Sequence, residues 1–198
     1  MDSNRQGGTR KRRAPKPLSA ASMEELALSY VARFSTTAAK LERYLARKLR
    51  ERGWEDDREA DVPALVRRFV DKGYVDDEVW ARAKTGDLLR RGYGERRVNQ
   101  ALGQAGVGEG IRESMRPGDA TKRQAAMRLA QRRRFGPFAV EPPDKDKREK
   151  QIAAMLRAGH SFDHARAVID APDEAAVTDW VSEAEDAEEE NDGGFGFS

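Results

Sequence analysis

The chain of 198 residues is 38% hydrophobic and 36% charged, with a net charge of +2 and no cysteine. That balance is lean in core-forming residues and argues against a thick apolar interior, while the missing thiols exclude disulfides, thiolate metal sites and cysteine nucleophiles. No apolar run approaches the ~18 residues of a membrane span, and the opening MDSNRQGGTRKRR lacks the apolar stretch of a signal peptide, so a cytoplasmic protein with no membrane partner is expected.

Residues 1–21 read as a disordered basic arm, in which Arg5, Arg10, Lys11, Arg12, Arg13 and Lys16 face a single acid, Asp2. A helix is expected over 22–34, with Leu26, Tyr30, Val31 and Phe34 on one side. Ser35 then reads as the N-cap of a helix over 36–52, whose apolar face is Ala38, Leu41, Leu45 and Leu49. Asp61 and Pro63 open a helix over 62–72 that presents Leu65, Val66, Phe69 and Val70. Asp76 caps the next, over 77–91, with Val79, Trp80, Ala83, Leu88 and Leu89 as its buried side. Helices over 95–105 and 108–116 follow, then one over 120–134 carrying Ala125, Ala126, Leu129 and Ala130. FGPFAVEPPD is a proline-rich loop, after which helices are expected over 145–158 and 162–170, the second capped by Ser161. A last helix from about Asp173 would run into an acidic tail, where seven carboxylates crowd residues 183–192.

A glycine returns every 53 residues, as Gly53, Gly106 and Gly159, each at the end of a helical segment: LARKLRERGW, VNQALGQAGV, IAAMLRAGHS. Glycine just past a helix end takes the left-handed conformation that lets the last carbonyls find donors. The chain therefore reads as all-α, with three tandem three-helix repeats over 22–73, 74–117 and 118–171, between the basic arm and a C-terminal helix and acidic tail over 172–198. Stacked units of this size share a core and form an elongated, curved body whose function lies on its surface. No segment alternates apolar and polar residues as a strand would.

Catalytic chemistry finds no footing. His160 and His164 have the spacing of a metal pair but lack a converging third ligand. The acidic groups Asp56/Asp57 and Asp76/Asp77/Glu78 are explained by helix capping. GYG and GVGEG follow no strand, so neither reads as a phosphate loop. The sequence is read as a non-enzyme with neither cofactor nor metal. Basic ridges are the stronger signal. Lys40, Arg43, Arg47 and Arg50 share one ridge, Arg90 and Arg91 close one helix, and Arg96 and Arg97 open the next. Lys122, Arg123, Arg128, Arg132, Arg133 and Arg134 crowd a segment, 120–140, that contains no acid. Such positions could be solvated faces, or could track a polyanion or an acidic partner. With no series of surface aromatics visible, base stacking is not expected as the main binding mode.

The stretch GYVDDEVWARAKTGDLLRRGYGERRVNQALGQAGV, residues 73–107, resembles the bacterial RecX regulators of the RecA recombinase. The resemblance rests on Asp76-Asp77, Trp80-Ala81, Arg90-Arg91, Gly94, Leu102 and Gly106. ARFSTTAAKLERYLARKLRERG in the first unit and KREKQIAAMLRAGHSF in the third support it, over about residues 25–170. It implies a non-enzymatic modulator, active in DNA repair and the SOS response, that is built of tandem three-helix units. Such a protein binds the RecA–DNA filament, lies in its groove, and inhibits filament growth, ATP hydrolysis and strand exchange. A monomer is expected, with the basic residues named above as candidate contacts to RecA or DNA. The arm and the tail fall outside the shared pattern. Direct DNA binding without a filament, or scaffolding of another protein, are the alternatives.

Overall fold

The structure is a computed structural model that describes residues 16–193. The acidic tail's end and most of the basic arm lie outside the described residues. Among the described residues ten α-helices follow one another: α1 (Ala20–Val31), α2 (Ala38–Arg52), α3 (Val62–Asp71), α4 (Asp77–Arg90), α5 (Glu95–Ala105), α6 (Glu109–Ser114), α7 (Asp119–Arg133), α8 (Lys145–Arg157), α9 (Phe162–Ile169) and α10 (Glu174–Gly193). A single 3-10 turn, Gly136–Phe138, interrupts the proline-rich loop. No strand is found among the described residues, so the chain is all-α.

Short polar side chains start most helices where they satisfy free backbone donors. The carboxylates of Asp61, Asp76 and Asp144 accept from Ala64, Val79 and Lys147 at 2.8–2.9 Å. Ser161 does the same for His164 at 3.1 Å. α2 starts two residues later than Ser35 would place it. Thr37 is the cap because its hydroxyl makes two bonds: it accepts from Lys40 N–H and donates to the Ala105 carbonyl at 2.6 Å. A long-range partner outcompetes the nearer serine.

Three apolar clusters succeed one another along the chain. α1–α3 enclose Leu41, Leu45, Phe69 and Val66; α4–α6 enclose Ala81, Leu88, Val98 and Leu102; α7–α9 enclose Leu129, Ile152, Met155 and Val168. α10 joins the last of these by packing on α7, with Val177, Val181 and Ala184 buried. The clusters are small, as the lean composition requires.

Neighbouring clusters are joined turn to turn. The start of α2 docks on the end of α5 and the start of α4: Thr37 bonds Ala105, Ala39 lies against Gly106, and Ala38 N–H donates to Asp77, the first residue of α4. The start of α5 docks on the end of α8 in the same sense: Gly94 N–H donates to Ala158 at 3.0 Å, and Arg96 N–H to Gly159 at 3.2 Å. His160, buried beside that turn, meets the Gly92 carbonyl with Nε2 at 3.0 Å. Gly53, Gly106 and Gly159 all have positive φ (80°, 81° and 99°).

Two more expectations need correction. The arm does not extend to residue 21: Leu18 is fully buried in the first cluster, and Ser19 caps α1. Leu18 N–H donates to Gly53 and its carbonyl accepts from Glu55, a single parallel bridge beside Trp54. The Leu18 segment thus covers the Gly53 turn. The buried face of α4 is also displaced. Val79 is 64% exposed and Ala83 is exposed, whereas Ala81 and Thr85 are buried. Small residues face inward there because α4 is pressed between α5, α6 and α7.

Candidate functional site

Two open clefts meet at Lys40. The first, of about 700 Å³, lies between the C-terminal end of α1 and the face of α2; Leu26, Ser29, Tyr30, Arg33, Phe34, Lys40, Arg43, Tyr44 and Arg47 line it. The second, of about 390 Å³, lies between α2, α4 and α5; Lys40, Trp80, Lys84, Arg91, Tyr93 and Arg97 supply its charged and aromatic lining. No carboxylate lines either cleft. Together they present seven cations: Arg33, Lys40, Arg43, Arg47, Lys84, Arg91 and Arg97.

The local sequence explains the arrangement. Lys40, Arg43, Tyr44 and Arg47 recur at helical spacing on α2, next to the stripe of Leu41 and Leu45 that holds the helix in place. Trp80 and Lys84 are one turn apart on α4 and face the same cleft. The Lys40 ammonium sits 4.0 Å from the centre of the Trp80 ring, a favourable cation–π contact that closes the boundary between the clefts. Burial first, then repulsion from Lys84 and Arg43, pushes the Lys40 pKa below its ordinary value of 10.5. Crowded cations of this kind are relieved by an arriving anion.

Aromatic rings are interleaved with these charges. Tyr30 stacks on Tyr44 at 4.2 Å between centroids and tilts against Phe34 at 5.2 Å, forming a short row. Arg47 lies 5.7 Å over Tyr44, and Arg91 5.7 Å over Tyr93. Tyr30 and Phe34 share one side of the first helical segment, but Tyr44 comes from α2 and Trp80 from α4, so the series of surface aromatics that the sequence does not display forms only on folding. Arg33 and Lys84 escaped it too. Their signal was there: Arg33 ends a helix whose hairpin must return past it, and Lys84 follows Trp80 by one turn.

The other candidate cations lie elsewhere. Arg50 and Arg90 are exposed and line neither cleft. Arg96 donates to the Leu156 carbonyl, Lys122 pairs with Glu95 at 3.3 Å, and Arg123 bonds Asp119 and the Trp180 carbonyl, each at 2.7 Å. Arg123 also covers the Trp180 ring, so it ties α10 to α7. Arg128, Arg132, Arg133 and Arg134 gather toward the end of α7 and pair with no carboxylate among the described residues. His160 and His164 do not converge: His160 is held by Gly92, and His164 faces Asp119 at 3.3 Å. No cluster of three potential metal-ligating side chains exists among the described residues. No helix among them is long and apolar enough to cross a membrane.

Known proteins give this geometry its context. No family model matches the chain. It is 32% identical to the regulatory protein RecX of Myxococcus xanthus across 86% of its own length and 98% of that protein. It is 35% identical to the regulatory protein RecX of a Mycobacterium species, over 78% and 86% of the two chains. The fold is similar to the crystal structure of RecX from Lactobacillus salivarius, with a TM-score of 0.60 at 19% identity over 76% and 94% of the two chains. The extent and identity of these matches, on an all-α scaffold of the same fold, show that the chain belongs to the RecX family.

Proposed function

We propose that this protein binds the RecA–DNA filament and inhibits the recombinase, acting as a regulator without turnover of its own. The paired clefts that meet at Lys40 carry the reading: seven cations and no carboxylate line them, with Glu51 pairing Arg47 at 3.6 Å and Asp87 pairing Lys84 and Arg91 at 3.9 and 3.6 Å from outside the lining, which leaves a net positive surface suited to a polyanion. The DNA of the filament is such a target. Family membership supports the same assignment, because the curated relatives are named as regulatory proteins. Nothing in the clefts pairs a nucleophile with a base, so binding is the chemistry the site supports. The far end of α7, with Arg128 and Arg132 to Arg134, is a second contact candidate on the same molecule.

The test is the ATPase of RecA on single-stranded DNA as this protein is titrated in. Inhibition at or below one molecule per RecA protomer is expected. Unaltered ATP hydrolysis and strand exchange at a tenfold excess would remove the reading.

A further inference from the structure

Phe34 is 56% exposed at the open end of the row Phe34–Tyr30–Tyr44. A large apolar ring left in solvent is common by itself. Here it lines a cleft together with Arg33, Lys40, Arg43 and Arg47, of which Arg43 also donates to the Gln104 carbonyl at 3.2 Å and Arg47 lies 3.6 Å from Glu51, outside the lining. A cationic groove with aromatic faces set along it is the arrangement that holds single strands: cations follow the phosphates, and unpaired bases stack on the rings. Duplex bases have no free face to offer, and an acidic peptide would use the cations but leave the exposed ring idle.

We propose that the cleft between α1 and α2 is a single-stranded nucleic-acid seat in which a base stacks on Phe34 while Arg33, Arg43 and Arg47 hold the flanking phosphates. Tyr30, itself stacked on Tyr44 at 4.2 Å, backs the Phe34 ring at 5.2 Å between centroids. The seat shares its surface with the proposed filament contact but needs no recombinase. Its test therefore stands apart from the ATPase assay: binding without inhibition would sink only the filament reading, and inhibition without base-dependent binding only this one.

The measurement is fluorescence anisotropy with a labelled oligothymidylate and an abasic strand of equal length and charge, in the absence of RecA. Stacking on one ring is expected to make the thymidylate bind about tenfold or more tightly than the abasic strand. Phe34→Ala should weaken the thymidylate about tenfold and leave the abasic strand unchanged, while Phe34→Trp should restore the contrast. Phe34 is exposed, and unchanged melting of the variant confirms that the fold persists. Equal affinity for the two strands, equal weakening of both by Phe34→Ala, or tighter binding of duplex than of single strand would each overturn the proposal.

Discussion

Gly94 and Gly159 meet backbone to backbone, the carbonyl of Gly159 occupying the space that a side chain on Gly94 would need. The same junction bars a side chain at Gly159, whose Cβ would fall 2.5 Å from Arg97 N and 3.0 Å from the Gly94 carbonyl oxygen. These two turns hold the second and third clusters together, and neither can yield without separating them.

The recurring glycines should therefore differ in how much they tolerate. Gly53→Ala meets nothing within 4 Å and should lose only what a Cβ costs at φ 80° and ψ −179°, a conformation held almost solely by glycine, about 1–3 kcal/mol. Gly159→Ala adds a backbone clash of about 1–3 kcal/mol to the cost of its own positive φ. Urea melts of the two variants should separate clearly; equal losses would show that the junction relaxes freely.

Leu18 lies ahead of the first helix yet is fully buried. Leu18→Ala should destabilise the protein by about 2–5 kcal/mol, as deletions of buried leucine side chains do. Calorimetry reads this directly. A variant melting with the native protein would mean that the segment merely rests on the first cluster.

Stability should fall as the solution is acidified below neutral. Burial pushes His160 below its ordinary value of 6.5, outweighing the opposing bond to Gly92. His164 repulsion acts in the same direction as burial. The folded state thus holds a neutral ring, while the unfolded chain takes up a proton near pH 6.5. The contribution is complete above that pH and is lost as pH drops from 6.5 toward the folded-state pKa. Denaturation at pH 7.5 and 5.5 should show a larger loss for the native protein than for His160→Gln. Identical losses would assign the pH dependence to other groups.

Charge in the clefts should govern the salt dependence of strand binding. Two phosphate contacts contribute a slope of roughly 1.4 in log affinity against log salt for single strands. Lys40→Gln with Arg43→Gln should remove about that much, whereas Arg50→Gln with Arg90→Gln, outside both clefts, should leave the slope intact. The reverse pattern would move the anion surface off the clefts.

Sequence alone determined the helices and the glycine stops, because caps, apolar spacing and positive-φ glycines act within one or two turns of chain. Asp61, Asp76 and Ser161 start their helices where local chemistry places them. What failed locally was settled by distant partners. Thr37 displaced Ser35 as a cap because Ala105 lies across the junction. Leu18 joined the core because the Gly53 turn offered it two backbone bonds. Val79 turned outward because α4 is hemmed in by three other helices, which leave room for Ala81. The site divides the same way. Lys40, Arg43 and Arg47 were legible as a helical ridge, but a ridge has no partner until the chain folds. The tertiary structure brought Tyr30 and Phe34 from α1 and its following turn, and Trp80 and Lys84 from α4, against that ridge. It also tied Lys122 and Arg123 into internal pairs. Periodicity along one helix specifies which residues share a face, and only packing between helices specifies what that face confronts.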